Sequence, residues 1–302
     1  MAEVTGNPPV GYGTSTQLPQ STSQSGWEIP AQGGPGQEDE PYTPLQQITA
    51  EFIGTFALIS VVVCATYWWY PDFVAMGLAC GLTVAVLVTA FSRLGSGQFN
   101  PAITLALVLA GRLAPIRAMM ILPAQILSAV LACFVLSSFL GENEKMNWVK
   151  PGPVDPNTGQ QVATMKTPIE AATPFIPARM EIPEPIGQVS PREVPNTKRV
   201  SVVKAIVIEV LLTFFWGLAV FAGLRSENRQ MAGILVGGAV AVGLLCGGII
   251  TGAVMNPVRA FGPAVVSGQW EFQLVYWIGP MLGGALAGVV LGQFLFRDDE
   301  AL

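Results

Sequence analysis

The chain has 302 residues, of which 51% are hydrophobic and 12% charged, a composition too apolar for a soluble globule that must cover its surface with polar groups. It carries a formal net charge of −5 and no histidine. Its four cysteines, Cys64, Cys80, Cys133 and Cys246, all lie in apolar runs at spacings that suit neither a zinc site nor a disulfide framework, so no metal and no cofactor is expected.

Residues 1–47 hold five acids and no Lys or Arg, among abundant Pro, Gly, Ser and Gln, which predicts a disordered tail that buries no core. Within it "YTPL" at Tyr42–Leu45 resembles a tyrosine-based sorting signal. The first apolar run starts far from Met1 and lacks a basic flank, so it reads as a retained span and not as a removed leader. A helix needs roughly 20 apolar residues to cross about 30 Å of hydrocarbon. Six runs qualify: Ile48–Tyr70, Phe73–Ser92, Ala114–Leu140, Val200–Leu224, Met231–Ile250 and Phe272–Phe296. Two more, Asn100–Gly111 and Asn256–Val265, are apolar but reach only about halfway at 1.5 Å per residue. Threading six spans puts Arg93, Arg112, Arg117, Arg225, Arg229 and Arg297 on one side, which the positive-inside rule makes cytoplasmic, with both termini. The Pro-scattered segment 141–199 then forms a long loop on the opposite side, against its own Lys145, Lys150, Lys198 and Arg199. Residues 298–302 form a short C-terminal tail.

The two short runs begin alike. Asn is a cap residue and Pro a helix-start residue, so "SGQFNPAITLA" and "TGAVMNPVRAFGPA" each announce a helix inside the hydrophobic territory. The halves echo each other further: "EFIGTF" starts at Glu51 and "EVLLTF" at Glu209, and the following Asn lies 49 and 47 residues on, respectively. Three spans per half make the copies inverted, so the two short helices enter from opposite faces and their N-termini meet near the bilayer centre. Interrupted backbone at that depth must be buried in protein or line a watery cavity.

These features, over residues 48–297, closely resemble the aquaporin (major intrinsic protein) family. The resemblance implies an all-α membrane protein of six spanning helices and two re-entrant half-helices in inverted halves, 48–140 and 200–297. It implies a passive channel for water and small uncharged solutes such as glycerol, urea, ammonia or hydrogen peroxide, closed to protons and ions, and no enzymatic activity. The expected partners are the lipid bilayer, the permeating molecules and three further copies in a homotetramer, with no nucleic acid. The plasma membrane is the expected location, with an internal membrane as the alternative. An ion- or proton-coupled transporter is the alternative, since such proteins also use inverted repeats and broken helices.

On the same resemblance, Asn100, Pro101 and Ala102 with Asn256, Pro257 and Val258 form the central Asn-Pro region. Each Asn oxygen caps its own half-helix and leaves its amide NH₂ as a donor to the lumen. Arg259, an intramembrane charge, joins Cys80, Leu244 and Ala253 in the narrowest constriction. Water channels generally place an aromatic and a His where this chain has Cys80 and Leu244, so a wider and more apolar opening is expected. Gln98 stands where the family often has His. Ala260 follows the Arg where glycerol facilitators have Asp. Glu51 and Glu209 are expected to be structural, accepting N–H groups of the two re-entrant loops.

Overall fold

The structure, a computed structural model, describes residues 42–69, 72–95, 97–140, 149–154, 161–165, 200–226 and 228–296. The expected tails, 1–47 up to residue 41 and 298–302, and most of loop 141–199 lie outside the described residues. Helices α1 (Pro44–Trp69) and α2 (Phe73–Phe91) lead to the short α3 (Pro101–Leu109), followed by α4 (Pro115–Phe139). The second half repeats the order with α5 (Val202–Leu224), α6 (Arg229–Thr251), the short α7 (Pro257–Ser267) and α8 (Gln273–Leu286). From Ala287 to Leu295 the last span continues as a wider π-helix. Among the described residues six helices are long and apolar enough to cross a membrane.

The sequence shows why these helices start where they do. Asp72 accepts from the Val74 and Ala75 amides to cap α2, and Asn228 accepts from Gln230 and Met231 to cap α6. The first span begins at Pro44, four residues ahead of the expected Ile48, because Thr43 and Gln46 form a reciprocal capping pair. That cap buries Tyr42, 6% exposed, against Gly95, so the tyrosine of "YTPL" is not presented as a sorting signal would require. Within loop 141–199, Val149–Val154 and Gln161–Met165 pair as an antiparallel ribbon.

Packing ties each half to the other. Helix α1 packs on α4 and α5 on α8, the equivalent pairs of the two halves, while α2 and α6 meet across the middle. The half-helices cross over: α3 lies on α8 and its π extension, and α7 lies on α4. Small residues permit both contacts. Gly284, Gly288 and Gly292, one turn apart, sit against the Ala102 carbonyl, the Ala106 carbonyl and the Ala110 methyl. A Cβ at Gly262 would stand 2.7 Å from the Ala129 carbonyl oxygen of α4. Without a hydrophobic drive between helices in lipid, such close backbone approach supplies the dispersion contacts that hold them. The open end of α3 is closed by the same neighbour, since Gln293 Nε2 donates to the Leu109 carbonyl and Arg112 Nη2 to that of Phe296.

This packing makes a paired expectation. Gly284→Val drives a side chain into the Ala102 backbone and should cost about 3 kcal/mol or more, at or beyond the usual overpacking range. Gly238→Ala, with nothing within 4 Å of the added methyl, should instead stabilise its helix by about 0.5–1 kcal/mol. Thermal unfolding of the purified protein in detergent checks both signs.

Candidate functional site

Two loops lead into α3 and α7, and each has turned its amides toward one buried carboxylate. Glu51 on α1 accepts from the Gly97 and Gln98 amides through Oε1, both at 2.9 Å, and from Phe99 through Oε2 at 2.8 Å. Glu209 on α5 accepts from Val254 at 2.9 Å, from Met255 at 2.7 Å and from the Thr251 hydroxyl at 2.6 Å. An unsatisfied amide at this depth is expensive, and bonds to a charged acceptor are the strong kind. They hold an unusual backbone: Phe99 and Met255, the residues before each Asn, have φ of 48° and 53°, in the left-handed region that side chains avoid. Both anchors fill glycine hollows, Phe99 over Gly54 and Met255 over Gly243.

Asn100 and Asn256 sit at the tips of the half-helices. Asn100 Oδ1 accepts from the Ala102 amide at 2.9 Å and Asn256 Oδ1 from Val258 at 3.2 Å, with Pro101 and Pro257 opening the helices. The amide nitrogens are shared differently from the expectation. Asn100 Nδ2 donates to the Met255 carbonyl at 2.9 Å and Asn256 Nδ2 to the Phe99 carbonyl at 2.8 Å, so each loop clasps the other. One N–H of each pair is spent on the clasp, which leaves one N–H per Asn for anything else. The two N-termini therefore meet tip to tip, and the positive ends of their dipoles face one spot.

Arg259 lies three residues into α7 and is pinned by its own loop. Its Nη1 donates to the Ala253 and Val254 carbonyls and its Nη2 to Gly252, at 3.3 Å for the last. Ala253, at φ 44°, turns its carbonyl to meet the guanidinium. Cys80 and Leu244, expected beside Arg259 in the constriction, are both buried, 2% and 0% exposed. Gly77 and Gly81 bring α2 close onto α6. A Cβ at Gly77 would stand 3.6 Å from the Leu244 Cβ, and one at Gly81 would stand 2.6 Å from the Gly237 carbonyl oxygen.

Three participants were not singled out from the sequence. Gln125 on α4 donates from Nε2 to Glu51 at 2.8 Å and to Thr104 Oγ1 at 3.1 Å, and Thr104 donates to Gln98 Oε1 at 2.8 Å. In the second half Thr251 takes part instead, donating to Glu209, and its carbonyl accepts from the Tyr276 hydroxyl at 3.0 Å. A lone Gln in the middle of an apolar span was the available signal for Gln125.

Comparison with known proteins agrees with this geometry. A family model described as "Major intrinsic protein" matches residues 38–291. Aquaporin TIP4-4 of Zea mays is 33% identical over 219 residues, 72% of this chain and 69% of its own. Aquaporin-4 of Rattus norvegicus is 28% identical over 265 residues, 84% of this chain and 68% of its own. Among solved structures, the aquaglyceroporin from Plasmodium falciparum shares the fold with a TM-score of 0.62 at 18% identity, covering 84% of this chain and 97% of its own.

The carboxylate clasp can be tested by removing one acceptor. Glu209→Gln sets an amide N–H against the amides of Val254 or Met255, and the mismatch should cost about 2 kcal/mol or more. Asn228→Ala, which strips a surface cap, should cost about 1 kcal/mol. Thermal unfolding in detergent ranks the two.

Proposed function

Because the chain belongs to the major intrinsic protein family, the aquaporins, we propose that its tip-to-tip half-helices are the centre of a pore and that Arg259 guards it. The protein is a passive channel for water and small solutes. The observation that carries the reading of the site is the reciprocal clasp of Asn100 on Met255 and Asn256 on Phe99. A molecule passing this point meets the remaining N–H of each Asn and must present an oxygen lone pair. Two helix N-termini, each near half a positive charge, disfavour a cation or a proton at the same place, as in aquaporin-type pores generally.

Arg259 adds a full charge on one side of the clasp, its guanidinium held by three carbonyls. With Cys80, Leu244 and Ala253 it forms the selectivity filter. That filter supplies few hydrogen-bond partners, so it discriminates by width more than by chemistry, and glycerol, urea, ammonia or hydrogen peroxide are the solute class to test beside water. Glu51 and Glu209 are structural. Each is fully buried and engaged by backbone amides, which fits poorly with a carboxylate that loads and releases an ion in a coupled cycle.

The protein works in a bilayer as one of four copies, each with its own pore, and is not an enzyme. Large apolar side chains such as Leu78, Leu82 and Val86, one turn apart on α2, are exposed and suit lipid or a neighbouring copy. The channel unit runs over 48–297, with both termini cytoplasmic and the plasma membrane the location favoured.

Proteoliposomes should pass water with low activation energy and without proton conductance. Arg259→Val should admit cations or larger solutes while the fold stands. A proton current in the native protein comparable to that of a proton channel would end the reading.

Mercury offers a separate test of the filter. On this reading Cys80 belongs to the constriction; it is buried, as is Cys133, which lies against Gly262, while Cys246 on α6 is exposed. A mercurial should slow water flux, Cys80→Ser should abolish the effect and Cys246→Ser should not. Full sensitivity in Cys80→Ser would show that another residue occupies the filter.

A further inference from the structure

Each re-entrant loop is also held at its entry, by a side chain that the pore reading leaves without a role. Gly95 stands five residues before Asn100 and Thr251 five before Asn256, so the two occupy the same place in the two halves. Each is where a span ends: Thr251 is the last residue of α6, and Gly95, at φ 58°, closes the short helical turn Ser92–Leu94 that follows α2. The carbonyls at such ends have no partner within their own helix, and both residues are buried from water.

Both carbonyls nevertheless have a donor. Gln47 Nε2 on α1, in a residue 2% exposed, donates to the Gly95 carbonyl, and the hydroxyl of Tyr276 on α8, 0% exposed, donates to that of Thr251 at 3.0 Å. Neither bond can be reversed, because a carbonyl only accepts: the amide must present its N–H end and the phenol its proton. The two halves meet one need with different chemistry from different helices. Gln47 lies one turn before Glu51 on α1, and the matching place one turn before Glu209 on α5 is taken by Ala205. Ala205 has no side-chain donor, and it packs in one buried cluster with Tyr276, which reaches the second entry from the last span instead. Tyr42 braces the first entry further, since a Cβ at Gly95 would strike its ring.

Resting on the channel reading above, we infer that Gln47 and Tyr276 are positioning residues of the pore: each pins the carbonyl at the entry of one re-entrant loop, so that the loop is fixed at both ends and presents its Asn at a set depth and angle. The carboxylates take backbone amides only from residues 97–99 and 254–255, next to each Asn. A second point of attachment sets the direction of the loop as well as the place of its tip. Each Asn also donates across to the other loop, so an entry that loosens in one half moves the acceptor on which the other half's Asn relies.

The test is stopped-flow light scattering of proteoliposomes at several temperatures, normalised to folded protein per vesicle. Tyr276→Phe removes one hydroxyl and keeps the ring; Gln47→Met removes the donor and keeps the volume. Each should lower water permeability about two- to five-fold, the upper figure being what one hydrogen bond is worth, and raise its activation energy. Asn228→Ala, which weakens a surface cap outside the pore, is the control for lost stability and should keep native values. An equal fall in Asn228→Ala would show that flux follows stability and would overturn the inference. Native or raised permeability in Tyr276→Phe or in Gln47→Met would overturn it too and leave the channel reading standing; where Gln47→Met does not fold, Tyr276→Phe decides. Absence of water flux in the native protein would defeat both.

Discussion

The structure depends on a problem that water would otherwise solve. Two loops must leave the regular helix at the depth of the hydrocarbon, and their amides need acceptors there. Glu51 and Glu209 supply them, each gathering consecutive N–H groups onto one carboxylate. Because the amides point one way, the carbonyls of the same residues are turned the other. In the second half those carbonyls hold Arg259 and Asn100; in the first, the Phe99 carbonyl holds Asn256. The left-handed turns at Phe99 and Met255, which cost on the order of 1–3 kcal/mol each, persist because the carboxylate bonds offset them.

The same economy extends to the spans. Half-helices that stop at the middle must be gripped along their sides, and glycine lets the gripping helix come close enough to do it. The stripe Gly284, Gly288, Gly292 faces the alanines of α3, and Gly262 places α7 on α4. Each half-helix is therefore held by the last span of the other half. The halves share a fold by repetition and a stability by exchange. The repetition is incomplete where charge is concerned, since Arg259 has Ile103 as its counterpart three residues after the first Asn.

Much of this was legible in the sequence because it is local. Asn-Pro states a cap and a helix start within two residues, and a charge such as Arg259 in an apolar run declares itself. The glutamates were legible through repetition, with near-equal separations from the two Asn-Pro sites. What the sequence did not reveal lies in pairings between distant segments. Nothing near Asn100 says that its amide will be taken by Met255, and glycines such as Gly77 and Gly81 look alike whether they face lipid or another backbone. Tyr42 was read as part of a linear signal for a similar reason, its burial depending on Gly95, far along the chain.

The clasp at the centre also bears on how the molecule is made. Asn100 finds its acceptor 155 residues later and Asn256 finds its own 157 residues earlier. While the second half is still being synthesised, the first three spans can be in place but α3 has neither the last span at its side nor the Met255 carbonyl at its tip. Contacts of such long sequence separation form late and slowly. Biogenesis thus has no functional intermediate: a chain interrupted after α4 is not half a channel but a bundle with an unfinished loop, recognisable to quality control by the polar groups it has yet to satisfy.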